Sequence, residues 1–131
     1  MVTATVLLLD ADILIDIQRG HGPAATWMAS LAQLPAVAGI AALELAFGCR
    51  TSHDVRTVHR FLRPFELLWP TEDDFRFALS EAPKLHLSHG TGVFDALVAA
   101  TALRTGRAVA TFNARHYAAF RGVNVHQPYE R

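Results

Sequence analysis

Short aliphatic runs that alternate with longer helical patterns constrain this chain more than any other feature. Residues 5–9 form a continuous β-branched and leucine run that stops at Asp10, as a strand buried on both faces does. Ala11 to Gln18 reads as a short helix closed by Gly20 and Gly22, and residues 24–33 as a second helix with Pro23 near its start and Pro35 beyond its end. Residues 36–40 give a second strand and 41–50 a third helix. Ser52 is placed as the cap of a polar helix running to about Arg63, and a short third strand spans 65–69 between Pro64 and Pro70. Thr71 caps a helix whose first turn carries Glu72, Asp73 and Asp74, a favourable charge for a helix amino end. That helix is expected to weaken at Pro83, and 88–92 to form a loop. Val93 to Thr105 is a helix apolar almost all round, 108–111 a fourth strand, and 123–125 a fifth at the sheet edge.

Strands alternating with helices imply a mainly parallel sheet of about five strands with helices on both faces, an α/β fold. The 131 residues suit one domain, spanning 1–131, with no internal repeat or linker. With 51% hydrophobic and 18% charged residues the chain is globular rather than disordered. Twelve basic and twelve acidic residues cancel, so no global field draws it to nucleic acid or an anionic membrane. A phosphate-bearing partner must be recognised locally, and eleven of the twelve basic residues are arginines, whose fork suits phosphate. The lone Cys49 forbids an internal disulfide and thiolate zinc clusters. Residues 1–17 do not read as a signal peptide, because the first basic residue, Arg19, follows the apolar run and Asp10, Asp12 and Asp16 interrupt it. No stretch approaches the roughly eighteen apolar residues of a membrane span. The expectation is a cytoplasmic protein without membrane contact.

In an open parallel sheet the ligand site lies beyond the carboxyl ends of the strands. Asp54, Glu66, the group from Glu72 to Asp74, Glu81 and Glu130 sit in polar stretches and read as solvated. Three other acids sit in apolar ones: Asp10 after Val6-Leu7-Leu8-Leu9, Glu44 within Ala41-Ala42-Leu43-Glu44-Leu45-Ala46-Phe47, and Asp95 within Val93-Phe94-Asp95-Ala96-Leu97-Val98. An unpaired carboxylate in such surroundings costs several kcal/mol or stays protonated, so a compensating cation is expected. Taken singly, Asp10 serves equally as a helix cap, Asp95 as a first-turn acid and Asp12 as a surface residue. Glu44 has only apolar helical neighbours to explain it. Oxygen ligands of this kind select Mg²⁺ or Mn²⁺ over zinc, and acids around such an ion are common equipment for phosphodiester hydrolysis. His86 and His89, the one spaced histidine pair, flank a Ser- and Gly-rich loop and make a poor zinc site.

Four blocks in order carry a resemblance: Leu7-Leu8-Leu9-Asp10-Ala11-Asp12-Ile13-Leu14; Leu43-Glu44-Leu45-Ala46-Phe47-Gly48; Phe94-Asp95-Ala96-Leu97-Val98 with the Ala-rich helix behind it; and Ala110-Thr111-Phe112-Asn113-Ala114-Arg115-His116-Tyr117. In this the chain resembles PIN-domain ribonucleases, and among them the VapC-like toxins of bacterial toxin–antitoxin pairs. The resemblance implies an Mg²⁺- or Mn²⁺-dependent endoribonuclease in which Asp10, Glu44 and Asp95 hold metal and catalyse. Asn113 stands where many members carry a fourth Asp, with an oxygen but no charge. Asp12 and Thr111 fall in supporting positions, and Arg50 and Arg115 in reach of RNA. Implied partners are a cognate antitoxin, structured RNA such as tRNA, and a homodimer mate. The antitoxin would lie over Trp27, Met28 and Leu31 with Ile13 and Ile17. Asp10-Ala11-Asp12 is also similar to the nucleophile motif of haloacid-dehalogenase-like phosphatases, but the lysine and terminal acidic pair of that chemistry are missing. A receiver domain lacks support for a similar reason, and a PIN-like binding module without catalysis is the non-enzyme alternative.

Overall fold

The computed structural model describes residues 6–131. Five strands form one sheet in the order β3-β2-β1-β4-β5, every neighbouring pair parallel. They are β1 (Leu7–Leu9), β2 (Ala36–Ala38), β3 (Leu67–Leu68), β4 (Ala108–Ala110) and β5 (Val125–His126). The helices are α1 (Ala11–Gln18), α2 (Gly22–Ala29), α3 (Gly39–Phe47), α4 (Ser52–Leu62), α5 (Glu72–His89), α6 (Val93–Thr105) and α7 (Ala114–Tyr117). Successive strand residues face opposite sides, and Leu7, Leu8 and Leu9 are all at most 1% exposed, so both faces of the sheet are covered. The α/β class, the five strands and the edge position of β5 are those read from the sequence.

Boundaries differ where caps decide them. Thr5 lies outside the described residues, and Val6 precedes β1, 40% exposed. Helix α2 runs from Gly22 to Ala29, not over 24–33. Ile40 belongs to α3, which starts at Gly39 directly after β2 and ends at Phe47 rather than Arg50. A side chain at Gly39 would put its Cβ 2.4 Å from the Trp69 ring, so only glycine lets helix and ring approach. The cap of α4 is Thr51, not Ser52, its hydroxyl accepting from the Asp54 N–H at 3.0 Å. Pro83 does not weaken α5, which continues to His89 and stops at Gly90 in the left-handed region (φ 70°). The carbonyl that Pro83 leaves without a partner belongs to Leu79, which is 78% exposed and open to water.

Asp74 overturns the expectation of a solvated acidic turn. It is 4% exposed, completes a capping box with Thr71, and accepts from Arg104 Nε at 2.9 Å. Arg104 also donates to the Trp69 carbonyl at 3.2 Å, tying α6 to both α5 and the end of β3. The apolar side chains of α1 and α2 that the resemblance offers to an antitoxin pack inward, and for Ile13 the sequence allows a core place at least equally well. Ile13 is fully buried, and Trp27, Met28 and Ile17 are packed against the core, Trp27 with its ring 6.1 Å from Tyr129. The large exposed apolar side chains lie elsewhere: Leu43, Phe47, Val93 and Phe94, and on α5 Phe75, Leu79 and Leu87.

Candidate acidic site

Asp10 ends β1 and caps α1, its Oδ1 accepting the Ala11 N–H at 2.8 Å. Its Oδ2 accepts the Tyr117 hydroxyl at 2.6 Å. Both groups are buried, Asp10 at 8% exposure and Tyr117 at 1%. Burial raises the Asp10 carboxyl above the usual range, and the charges of Asp12 and Asp95 add to the rise while the hydrogen bonds from Tyr117 and Ala11 oppose it. Burial, then the neighbouring Asp10 charge, pushes the Tyr117 phenol far above its ordinary value, so it stays protonated and donates.

Asp12 braces the site. Its Oδ2 accepts from the Phe112 N–H at 2.7 Å and the Thr111 hydroxyl at 3.0 Å, and its Oδ1 from the Ile13 N–H at 2.9 Å. Thr111 Oγ1 in turn accepts the Asn113 N–H at 3.1 Å. These bonds pin the first turn of α1 to the loop after β4, the loop that presents Asn113. Thr111→Val should therefore lower stability by about 2 kcal/mol, the range for losing a hydrogen bond to a charged group. Urea unfolding checks this, and a loss under about 0.5 kcal/mol would mean that Phe112 alone holds Asp12.

Asp95 sits in the first turn of α6, where its Oδ2 accepts the Gly92 N–H at 3.3 Å and lies 3.6 Å from His116 Nδ1. Glu44, one turn into α3, is exposed, against the sequence argument that its neighbours would bury it. Those neighbours are themselves open, Leu43 at 42% and Phe47 at 85%. Partial desolvation, then the charges of Asp10, Asp95 and Asp12, still raise the Glu44 carboxyl.

Asp10, Asp12, Glu44, Asp95, Asn113 and His116 all line one cleft of about 520 Å³, with Ile15, Val93 and Phe94 among its apolar walls. The cleft lies at the carboxyl ends of β1 and β4, where a parallel sheet places its ligands. Arg50 and Arg115 are exposed and are not part of its lining. Two contributors escaped the sequence reading. His116 and Tyr117 were visible only as the tail of the fourth block, and nothing local tells that the phenol turns inward to Asp10.

Among the described residues no three His, Cys, Asp or Glu side chains already stand close enough to grip an ion together. The donor set still suits a hard cation. It is almost wholly oxygen, the Asp10 and Glu44 carboxyls are both raised by burial and then by neighbouring acidic charges, and Mg²⁺ keeps several of its waters and needs only one or two carboxylates. Each Asp10 oxygen retains a lone pair after its one hydrogen bond.

A parallel α/β domain with four carboxylates lining one cleft has the layout of proteins whose ligands sit beyond the carboxyl ends of the strands. More narrowly, the sequence matches the PIN domain over residues 7–121, and the chain belongs to that family. Among solved structures it is similar to a toxin–antitoxin complex from Klebsiella pneumoniae, at 24% identity and a TM-score of 0.75, over 95% of this chain and 99% of that one. The DNA-bound VapBC from Salmonella typhimurium is 18% identical with a TM-score of 0.77, over 93% and 97% of the two chains. VapBC-1 from nontypeable Haemophilus influenzae is 21% identical with a TM-score of 0.71, over 92% and 96%. At these identities the likeness shows the fold. No curated protein matches the sequence.

Proposed function

We propose that this chain is a metal-dependent endoribonuclease, a VapC-like toxin that hydrolyses RNA phosphodiester bonds and is restrained by a cognate antitoxin. The observation that carries the reading is the gathering of Asp10, Glu44 and Asp95 on one cleft with no basic side chain but His116 to balance them. Asp10 and Asp95 are the residues to hold Mg²⁺ or Mn²⁺, with Glu44 bound directly or through water. When bound, such an ion lowers the pKa of a water and neutralises the leaving oxygen. Tyr117 keeps the Asp10 carboxylate oriented, Asp12 and Thr111 hold the Asn113 loop, and the Asn113 amide orients water without adding charge. His116, beside Asp95 and 42% exposed, is placed to carry a proton.

Membership of the PIN family and the fold shared with toxin–antitoxin complexes support the toxin reading. The apolar rim of Leu43, Phe47 and Phe94 beside the cleft supports a protein partner there, with the antitoxin as the partner chosen. A homodimer mate and a structured RNA such as tRNA complete the proposed assembly, in the cytoplasm. Among the described residues no helix is long and apolar enough to cross a membrane. One observation favours a second reading: Asn113 brings an amide rather than a fourth aspartate to the cleft, which suits a PIN-like module that binds RNA without cutting it.

The two readings separate in one experiment. RNA cleavage should stop in EDTA and return with Mg²⁺ or Mn²⁺, and titration calorimetry should show a binding heat that Asp95→Asn removes. Metal binding unchanged in Asp95→Asn would take Asp95 out of the site, and no cleavage at any metal concentration would leave the binding module.

A further inference from the structure

The cleft explains how a phosphodiester could be cut, but its own charge repels RNA, and the chain as a whole is neutral. The cations are not spread evenly. Residues 50–63 hold four of the twelve basic residues, Arg50, Arg56, Arg60 and Arg63, together with His53 and His59, against Asp54 alone. On α4 and its carboxyl end, His53, Arg56, Arg60 and Arg63 recur at spacings of three and four and are all exposed, while Val58 and Leu62 on the other side are buried. One whole helix face is cationic.

None of the ion pairs among the described residues involves an arginine of this face. Arg56 and Arg60 are four residues apart and Arg60 and Arg63 three apart, spacings at which like charges destabilise a helix. A helix that merely needed solvating would mix its charges, as α5 does with its Arg76–Glu72 and Lys84–Glu81 pairs. The flank of α4 also leads to the acids. Asp54, Thr57 and Val58 line a groove of about 260 Å³ whose opposite wall includes Ile15 and Glu44, and both of these residues line the acidic cleft as well.

We propose that the exposed face of α4 is the surface that grips the RNA backbone, leading a strand along the groove past Glu44 and into the acidic cleft. The proposal rests on the ribonuclease reading for its choice of partner, and it assigns the phosphate contacts to Arg56, Arg60 and Arg63. Arginine suits this role because its fork matches phosphate oxygens and its charge does not titrate. Binding of this kind is salt-dependent, because each neutralised phosphate releases counterions.

The test measures binding apart from cleavage. A fluorescein-labelled single-stranded RNA of about twenty nucleotides is titrated with the chain in EDTA across a range of salt, and affinity is read by anisotropy. Each phosphate contact contributes roughly 0.7 to the slope of log affinity against log salt. The triple variant Arg56→Gln, Arg60→Gln, Arg63→Gln should thus lose about 2 from that slope and bind roughly a hundredfold more weakly at about 0.1 M salt. The corresponding triple lysine variant should keep most of the affinity and the slope. Thermal melts verify that all variants are folded, and Arg76→Gln with Lys84→Gln controls for surface charge in general. Hydrolysis of bis(p-nitrophenyl) phosphate with Mn²⁺, which needs only the cleft, should be unchanged in the triple variant. If the glutamine variant binds RNA like the wild type, or the wild type prefers anionic vesicles to RNA, the proposal is overturned. Loss of RNA binding alongside a wild type inert towards the small diester would sustain the α4 surface and sink the catalytic reading alone.

Discussion

Replacing Asp10 by asparagine should reduce RNA cleavage by about two to four orders of magnitude, the range for removing a group that acts on the reaction itself. Its effect on the metal-free fold depends on pH, and the sign follows from burial. The folded carboxyl is raised above its ordinary value near 3.8, so the native state holds the proton more tightly than the unfolded chain. What this group contributes to stability is complete below the unfolded value and is lost as pH rises through the folded one. Asparagine carries no charge to desolvate, so its standing relative to wild type should improve from a pH below the unfolded value to one above the folded value, and level off beyond it. One offset does not depend on pH. The amide has a single oxygen for two donors, the Ala11 N–H and the Tyr117 hydroxyl, and misses one hydrogen bond worth about 1 kcal/mol. Paired melts in EDTA at the two pH values, with cleavage assays in Mg²⁺, test both parts. An active Asp10→Asn protein, or a melting difference indifferent to pH, would leave Asp10 as a helix cap only.

The largest loss of stability is expected away from the cleft, at Arg104. Asp74 is buried and its cation comes from the last turn of α6. Arg104→Ala strands that carboxylate and should destabilise the fold by about 3 kcal/mol, the lower edge for breaking a buried pair. The lower edge applies because Arg104 is itself 38% exposed and the Thr71 N–H still bonds Asp74. For a chain of this size that is roughly 10 °C in melting temperature. Asp74→Asn, which leaves no buried charge, should cost less than Arg104→Ala. The reverse order would show that the capping box, and not the ion pair, holds α5 in place.

What the sequence disclosed and what it hid divide along the distance over which a residue's partners are recruited. The strand pattern is local, and so was the α/β class. Asp10 was legible because a buried aliphatic run ends on it, and Asp95 because it opens a helix apolar almost all round. Glu44 was found for a partly mistaken reason. Its apolar neighbours predict burial, whereas Leu43 and Phe47 face outward and its place in the cleft comes from α3 following β2 directly. Helix ends were missed by a residue or more, since Thr51 and Ser52 cap equally well on paper and only the Asp54 N–H chooses between them. Asp74 looked like one of three solvated acids because its arginine is 30 positions away. Tyr117 gave no sign that its hydroxyl serves Asp10, 107 positions earlier.

That last separation has a consequence for how the protein comes into being. β1 is the middle strand of the sheet, and its second neighbour, β4, is made about a hundred residues later. At roughly 5–20 residues per second, a ribosome needs on the order of 5–20 s to travel from one to the other. Throughout that interval Asp10 has no phenol and Asp12 no threonine or amide, because Tyr117, Thr111 and Phe112 do not yet exist. The acidic centre is thus completed late in synthesis, and a half-made molecule on the ribosome that translates it carries the acids without the cleft.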